Sequence, residues 1–362
     1  MSRDIHKKKH LSSFQLIILG FAGVILFGAI ILMLPVSSAE GVMTPFNQTL
    51  FTSTSAVCVT GLAVLDTGSY WSVFGQVVIL LLIQIGGLGV VTVAVSVFML
   101  SGRKISLMQR STMQNAISAH KVGGIVRLTK FILKGTLFVE MAGALALLPV
   151  FYHDFGRKGI WMAVFHSISA FCNAGFDILG TPTNPFPSIT AYAGNPIVNV
   201  VIMFLIIAGG IGFLTWEDIC INKIHFRKYH MQSKIIVVTT ALLIVLPAVF
   251  FFFSDFTHLS VGKRLLASAF QAVTPRTAGF NTMDISKMTE VSKAMIIILM
   301  LVGGSPSSTA GGMKTTTFAV LILNAFATFR NKEDAGVYGR RIECQTIKNA
   351  STVAMMYILL FL

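Results

Sequence analysis

The stretch Val273-Thr274-Pro275-Arg276-Thr277-Ala278-Gly279-Phe280-Asn281 decides how this chain is organised. It is short and polar, and it lies between two long apolar runs. The same frame occurs twice earlier, as Val57-Cys58-Val59-Thr60-Gly61-Leu62 and as Phe171-Cys172-Asn173-Ala174-Gly175-Phe176. Each frame has a glycine followed by Leu or Phe, and each follows a small-residue segment of helical length. The three glycines are 114 and 104 residues apart, which indicates a duplicated unit.

The composition is that of a membrane protein. Of the 362 residues, 54% are hydrophobic and only 12% are charged, whereas soluble domains carry roughly 25% charged residues. Several apolar runs reach the roughly 20 residues that a helix needs to cross the hydrocarbon layer. The sequence therefore predicts an all-α, multi-pass protein of the lipid bilayer.

The chain has a net charge of +14, and most of its basic residues lie in connections between the apolar runs. Twenty of the 28 Lys and Arg residues fall in or beside four segments, namely the N-terminus, 103–134, 223–234 and 330–348. These segments are alternate connections between apolar runs, which is the pattern of the positive-inside rule. A nucleic-acid surface would instead concentrate charge on one face of a domain. We therefore expect a cytoplasmic N-terminus, the cell membrane as location and no nucleic-acid partner.

Three units share one plan: an outer helix, a short pore helix, a glycine-centred strand and an inner helix. The first apolar run, Leu16–Leu34, is longer than the 7–15-residue core of a secretory signal. Thr44 and Pro45 are the expected N-cap and first residue of the first pore helix. The predicted divisions are 1–13 for the N-terminus, 14–100, 101–217 and 218–330 for the three repeats, and 331–362 for a cytoplasmic loop and the start of a fourth repeat.

Apolar length sets the expected helix bounds. The run after Ala350 stops at Leu362 and no fourth glycine frame follows it, so the chain is expected to be interrupted early in a fourth repeat. The first predicted pore helix ends near residue 55, and the other two cover 160–171 and 262–273. The second and third outer helices are predicted at 131–150 and 234–253. The inner segments are predicted at 71–100, 196–216 and 293–329.

The third inner segment contains ten consecutive small or helix-breaking residues. Unpaired backbone groups in hydrocarbon are costly unless they line water or pack within protein, and broken membrane helices mark ion or substrate sites. Glycine pairs occur at comparable places in all three inner segments, at 86–87, 209–210 and 303–304. We interpret the first two pairs as close helix packing and only the third as part of a gate. The predicted gating loop consists of Gly303, Gly304, Ser305, Pro306, Ser307, Ser308, Thr309, Ala310, Gly311 and Gly312.

The three frames have the chemistry that a dehydrated cation requires. Backbone carbonyls can replace its water shell without a fixed charge, glycine permits a positive φ, and the preceding helix directs its partly negative C-terminal end at the same point. No Asp or Glu occupies these positions, which argues against a divalent-type carboxylate ring. The predicted filter residues, which form the one predicted ion site, are Val59, Thr60, Gly61, Asn173, Ala174, Gly175, Thr277, Ala278 and Gly279.

Charged residues near the frames allow more than one interpretation. Arg276 is expected to point behind the filter toward carbonyls or a carboxylate, because a fixed positive charge in the pore would repel a cation. Lys314 either sets a barrier below the filter or extends to the membrane interface. The acidic residues that follow the glycines either concentrate cations at an outer mouth or are solvated loop residues; they are Asp66, Asp177 and Asp284.

Two further features concern groups inside the predicted spans. Glu140 lies within the second outer helix and is a candidate ion-pathway residue, since a buried charge in a bilayer is a functional hypothesis by default. The four cysteines show neither CxxC nor metal-ligand spacing. Cys58 and Cys172, three residues before their glycines, are interpreted as small packing residues.

These stretches together resemble the Trk/Ktr/HKT superfamily of potassium transporters, and most of all the membrane-spanning B-type component of bacterial Ktr systems. The resemblance covers essentially the whole chain and is most specific in the third frame and the loop that follows it. It is carried by Val59–Leu62, Ser169–Phe176, Thr274–Asn281 and Gly303–Lys314.

The resemblance implies four pseudo-repeated hairpins around one pore and potassium as the transported ion, with or without coupling to sodium. It also implies an intramembrane gating loop in the third repeat and no covalently bound cofactor. As partners it implies a second copy of the chain and a cytoplasmic ring of nucleotide-binding regulatory subunits.

Two other functions fit parts of the sequence. An intramembrane hydrolase could use Ser305, Ser307 or Ser308 with Lys314 as a Ser–Lys pair, but no GxSxG elbow accompanies them. A non-transporting remnant of a transporter is the other alternative, because the fourth repeat is interrupted. The sequence favours a pore-forming transport subunit that is not an enzyme.

Overall fold

The computed structural model describes residues 12–90, 92–93, 114, 124–332 and 334–361, and these are mostly helical. A two-stranded antiparallel hairpin pairs β1 (Gly336–Val337) with β2 (Arg340–Arg341). The α-helices with defined bounds, numbered in chain order, are α1 Ser13–Met33, α2 Phe46–Val57, α3 Val73–Leu88, α4 Ile125–Phe155, α5 Lys158–Phe171, α6 Pro196–Gly210, α7 Phe213–Asn222, α8 Met231–Ser254, α9 Val261–Val273, α10 Glu290–Leu301, α11 Thr315–Phe329 and α12 Cys344–Phe361. Short 3₁₀ turns lie at Pro35–Ser37, Thr190–Tyr192, Phe226–Lys228 and Ile285–Lys287.

One order of elements recurs three times along the described chain. An outer helix (α1, α4 or α8) is followed by a short pore helix (α2, α5 or α9), a glycine frame and an inner helix (α3, α6 or α10). Each pore helix packs against the outer helix that precedes it. We call these groups hairpins 1, 2 and 3.

The outer helices have the length and composition of membrane spans. Helices α1, α4 and α8 are long and apolar enough to cross a membrane, and the bent pair of α6 and α7 passes the same test when taken together. Large apolar side chains such as Ile18, Phe138 and Leu246 are exposed on the three outer helices. This arrangement suits a lipid environment, in which exposed apolar surface carries no hydrophobic penalty.

Polar caps fix several helix starts. Ser12 and Gln15 form a capping box before α1, and the Asn195 side chain accepts the first free N–H groups of α6. The prediction that Thr44 caps α2 is wrong, because the Pro45 carbonyl accepts the first helical N–H, from Thr49 at 3.1 Å. The Thr44 hydroxyl lies instead 3.0 Å from the Tyr70 hydroxyl.

The first two glycine pairs bring inner helices against the ends of pore helices. A Cβ atom on Gly86 would lie 2.0 Å from the Val57 carbonyl oxygen, and one on Gly209 would lie 1.9 Å from the Phe171 carbonyl oxygen. These distances are too short for any side chain, so α3 and α6 can approach α2 and α5 this closely only through glycine. The structure therefore agrees with the packing interpretation of both pairs.

The uninterrupted inner helix predicted over 196–216 is wrong. Helix α6 ends at Gly210, and α7 leaves it at an angle of 99°. Gly212 has a φ of +89°, and the N–H of Phe213 donates to the Ser307 carbonyl at 2.7 Å instead of to a carbonyl of α6. The break depends on glycine and on a contact from hairpin 3, so a break is not confined to the third inner segment.

The first inner helix also ends earlier than predicted. Helix α3 stops at Leu88, where Gly89 has a φ of +82°. Most of the predicted continuation to about residue 100 lies outside the described residues.

The main buried core lies behind the glycine frames. Phe165 and Phe171 of hairpin 2, together with Phe270 and Phe280 of hairpin 3, are fully buried in one cluster that also includes Ile79 and Ile83 of α3. A smaller cluster holds α8, α9 and α10 together. The frames are thus backed by packed apolar side chains from more than one hairpin, which limits their freedom to move.

Candidate functional site

The three glycine frames meet at one place. A Cβ atom added to Gly61 would lie 2.5 Å from the Ala174 carbonyl oxygen, and one added to Gly175 would lie 2.6 Å from the Ala278 carbonyl oxygen. A Cβ atom on Gly279 would lie 3.2 Å from the Gly175 Cα. Backbone segments that are more than 100 residues apart in the chain therefore contact each other through their glycines.

The frames share an unusual backbone conformation. Gly61, Gly175 and Gly279 have φ values of +74°, +70° and +82°. The residue two positions before each glycine also has a positive φ, although none of the three is glycine: they are Val59 (+56°), Asn173 (+56°) and Thr277 (+62°). The left-handed conformation costs roughly 1–2 kcal/mol for a residue with a side chain. Its recurrence at one position in three frames indicates a functional constraint on the backbone.

In each hairpin a hydroxyl hydrogen bond links the end of the pore helix to the glycine frame that follows it. In hairpin 1 the Thr60 hydroxyl bonds to the Ser55 hydroxyl at 2.9 Å. In hairpin 2 the Ser169 hydroxyl donates to the Phe176 carbonyl at 2.7 Å, and in hairpin 3 the Thr274 hydroxyl donates to the Phe280 carbonyl. A neutral hydroxyl donor thus closes each of the three frames.

The gating loop predicted at 303–312 is bonded to hairpin 2. The N–H groups of Ser305 and Thr309 donate to the carbonyls of Gly210 and Gly209 at 2.9 and 3.2 Å. The Thr309 hydroxyl donates at 2.9 Å to the Phe171 carbonyl, at the C-terminal end of pore helix α5. The loop is therefore held at the break between α6 and α7 and at the base of the second frame.

The same loop also contacts the third frame. The Gly311 N–H donates to the Thr277 hydroxyl at 3.1 Å. A Cβ atom on Gly312 would lie 3.5 Å from the Thr277 methyl carbon. The structure brings the predicted loop and two of the three predicted filter segments into direct contact.

Arg276 reaches the outer helix α8, and its partner there differs from the expectation. The side chain is 3% exposed, and its Nη2 lies 3.4 Å from the Thr240 hydroxyl of α8. Within the described residues, its Nε and Nη1 have no hydrogen-bond partner. A hydroxyl of the outer helix therefore takes the place of the predicted carbonyl or carboxylate.

Lys314 folds back onto the gating loop. Its Nζ donates to the Ala310 carbonyl at 2.8 Å, while the Ser305 hydroxyl is bonded to the Thr315 hydroxyl at 2.9 Å. The ammonium group is thus directed to a carbonyl of the loop, neither extended to the interface nor paired with Ser305 as a Ser–Lys dyad requires.

The three acidic residues that follow the glycines do not form one ring. Asp66 is 7% exposed and accepts the Phe186 N–H at 2.8 Å, so it links the outer loops of hairpins 1 and 2. Burial and the nearby charge of Asp66 raise the pKa of Asp177 to about 6. Asp284 lies instead on an exposed turn and pairs with Lys287 at 3.6 Å. Asp66 and Asp177 are therefore the candidates for an outer mouth, and Asp284 is a solvated loop residue.

The raised pKa of Asp177 leads to a pH prediction. At pH 5 this carboxyl is mainly neutral, and at pH 7 it is mainly ionised, since its pKa is about 6. If it concentrates cations at the mouth, uptake from low external cation concentrations is expected to rise over this range, by up to about tenfold at low ionic strength. Asp177→Asn is expected to remove most of this rise, whereas Asp284→Asn is the matched control. An unchanged pH profile in Asp177→Asn would contradict the role.

Sequence reasoning missed two polar contacts. Gln84, in the apolar helix α3, bonds to the buried carboxyl of Glu140, and Thr309 bonds to the end of α5. The sequence does indicate a role for the glutamine, because a polar side chain within a Leu- and Ile-rich span needs a partner. The threonine has none, because its role depends on where the loop packs.

The comparisons with known proteins agree on one family. A model of the TrkH family, described as cation transport protein, matches residues 13–362. The chain is 39% identical over 352 residues to the potassium/sodium uptake protein NtpJ of Enterococcus hirae, covering 96% of this chain and 76% of that protein. It is 38% identical over 348 residues to the Ktr system potassium uptake protein B of Bacillus subtilis, covering 94% and 76%. The crystal structure of the potassium transporter TrkH from Vibrio parahaemolyticus has the same fold, with a TM-score of 0.70 and 17% identity over 96% of this chain and 70% of that one.

Proposed function

The chain belongs to the TrkH family of cation transport proteins, and from that premise we propose that it is the pore-forming membrane subunit of a potassium uptake system. Membership makes it a transport protein and not an enzyme, which removes the serine hydrolase alternative. Potassium, with sodium as a second ion, is proposed because relatives at 39% and 38% identity are named potassium/sodium and potassium uptake proteins.

The observation that carries the proposal is the meeting of the three frames through Gly61, Gly175 and Gly279. Potassium would exchange part of its water shell for backbone carbonyls of the nine predicted filter residues. The repeated left-handed conformations support this role, because they turn the direction of successive peptide groups without introducing a charge. The C-terminal ends of three pore helices would add a partly negative potential at the same point.

The loop 303–312 is proposed as the gate. It contacts the third frame through Thr277 and the end of α5 through Thr309, so its position is coupled to the filter. The Lys314 ammonium, bonded to the loop at Ala310, would place positive charge beside the pathway when the loop is in this position. Movement of the loop would then change both the width and the electrostatic barrier of the path.

The assembly is also proposed. We expect the N-terminus on the cytoplasmic side of the cell membrane, because the basic segments alternate with the spans. A second copy of the chain and a cytoplasmic ring of nucleotide-binding regulatory subunits would complete the system. Support for a multi-component system comes from the relatives in Bacillus subtilis that are named as proteins B and D of Ktr systems.

Uptake in cells tests the function directly. The complete coding sequence that carries these residues would be expressed, with its regulatory partner, in a bacterial strain that lacks potassium uptake. We expect growth at submillimolar potassium and saturable potassium uptake, neither of which the empty vector supports. Membrane-inserted protein that supports neither growth nor uptake of potassium or sodium would contradict the proposal.

A further inference from the structure

Glu140 is a buried carboxyl group that the proposed ion path does not use. It lies in the outer helix α4 and is 5% exposed. Its two oxygens accept from Nε2 of Gln84 on α3, at 2.9 and 3.2 Å. In the part of the chain that the structure describes, no Lys or Arg forms an ion pair with it. A carboxyl held between two membrane helices without a cation is expensive, so a role beyond packing is expected of it.

The Gln84 amide lies between Glu140 and the second frame. Its NH₂ group donates to the Glu140 carboxyl. The amide oxygen then faces Cys172, whose Sγ donates to it over 3.6 Å. Cys172 immediately precedes Asn173, the left-handed residue of the second frame. A chain of hydrogen bonds thus leads from the outer helix to the start of the second filter segment.

The backbone of Glu140 holds the pore helix of the same frame. Its carbonyl accepts from the Ser167 hydroxyl of α5 at 2.6 Å. On the other side, Cys172 fills the space above Gly87 of α3, where an added Cβ would lie 2.8 Å from Sγ. Glu140 therefore contacts the pore helix directly, through its carbonyl and Ser167, and reaches Cys172 indirectly, through Gln84.

The equivalent positions of the other frames lack this contact. Cys58 of the first frame is exposed. Arg276 of the third frame reaches Thr240 of α8. Among the described residues, the contact between a carboxyl, an amide and the residue that precedes a filter segment is thus particular to hairpin 2.

We propose that Glu140 is a positioning residue that fixes the second filter segment through Gln84 and Cys172, and so contributes to ion selectivity without touching the ion. This inference rests on the proposed function in so far as it concerns selectivity. We call the three side chains the Glu140–Gln84–Cys172 clamp.

Substitutions that separate shape from charge test the clamp. Glu140→Gln keeps an oxygen that can accept from Gln84, so the potassium-to-sodium uptake ratio is expected to stay near that of the unsubstituted protein. Glu140→Leu and Gln84→Leu each leave a buried polar partner unsatisfied, and each is expected to lower the ratio at least about fivefold. The double Leu variant is expected to resemble the single ones, because both remove the same link. The exchange of Gln84→Glu with Glu140→Gln restores an amide–carboxyl pair and is expected to recover the ratio.

Thiol accessibility gives a readout that is independent of transport. Cys172 is buried, whereas Cys58, Cys220 and Cys344 are exposed. In a protein with those three replaced by serine, a membrane-permeant maleimide is expected to label Cys172 slowly. Labelling should become at least about fivefold faster in Gln84→Leu and in Glu140→Leu, but not in Glu140→Gln.

The outcomes distinguish the possible failures. Absence of uptake in the unsubstituted protein would contradict the proposed function, while the labelling rates would still decide the clamp. Loss of all uptake in Glu140→Gln with slow labelling would place the carboxyl in the ion path and overturn the inference. An unchanged ratio and slow labelling in both Leu variants would overturn it as well. If Glu140→Leu fails to insert, Gln84→Leu decides, since it removes the same side-chain link and leaves the sequence of α4 unchanged.

Discussion

Replacing Gly175 by alanine is expected to lower the potassium-to-sodium uptake ratio by about tenfold or more. Gly175 has a φ of +70°, and an added Cβ would lie 2.6 Å from the Ala278 carbonyl oxygen and 3.0 Å from the Gly279 Cα. The left-handed conformation alone costs alanine roughly 1–2 kcal/mol, and about 1.4 kcal/mol corresponds to a factor of ten. The clash adds to this cost, and it acts on a carbonyl that we propose as an ion ligand. Competitive uptake of potassium and sodium in the same cells measures the ratio.

A graded set of glycine variants makes this result specific. Gly279→Ser is expected to lower the ratio less, because its nearest neighbour is the Gly175 Cα at 3.2 Å. Gly262→Ala in the first turn of α9 is the control, since its added Cβ meets nothing within 4 Å and its φ is not positive. A ratio for Gly175→Ala equal to that of Gly262→Ala, at equal amounts in the membrane, would contradict the filter assignment.

The glycine frames could be predicted from the sequence because their chemistry is local. A positive φ favours glycine wherever the rest of the chain lies, so three similar frames identify three similar turns. The outer helices could also be predicted, because apolar length alone indicates a span. Their repetition predicts that the three frames meet at one place. Their order in space depends on the whole fold and cannot be read from the frames alone.

The breaks in the inner segments could be predicted only in part. Ten small residues in a row make the interruption at 303–312 visible. The break after Gly210 carries no such signal, because it depends on Gly212 and on the bond from Phe213 to Ser307 of another hairpin. The partner of Arg276 was missed for a similar reason, since Thr240 is one polar residue among many in its helix.

The two broken segments act as one structural unit. The loop 303–312 supplies the carbonyl that completes the start of α7, and the end of α6 supplies the carbonyls that satisfy the loop. Irregular backbone at membrane depth is tolerated when protein groups satisfy it, and here each break satisfies the other. A movement of the loop must therefore break bonds at the start of α7, so the proposed gate and the second inner segment are expected to move together.

Excision of residues 304–312 is expected to raise basal potassium flux about tenfold and to weaken its dependence on the regulatory partner. The ends to be joined already lie close together, because the Gly303 N–H donates to the Met313 carbonyl at 3.0 Å and Val302 pairs with Met313. It removes the bonds that hold the loop to Thr277 of the third frame and to Phe171 at the end of α5. A tenfold rise corresponds to a barrier lower by about 1.4 kcal/mol.

Thr309→Val is a milder variant than the excision, because it removes only the hydroxyl bond to the Phe171 carbonyl. Its flux should lie between those of the unsubstituted and excised proteins. Gly23→Ala on α1 is the control, since its added Cβ meets nothing within 4 Å.

Flux with and without the partner, and the yield of monodisperse protein in detergent, are measured on the same preparations. If the segment 303–312 were only a packing kink, its excision would displace α11. The yield of monodisperse protein would then fall, and the flux would not rise. A well-folded excised protein whose flux still depends fully on the partner would exclude the loop as the gate, whereas high, partner-independent flux at normal yield is the result that a gate requires.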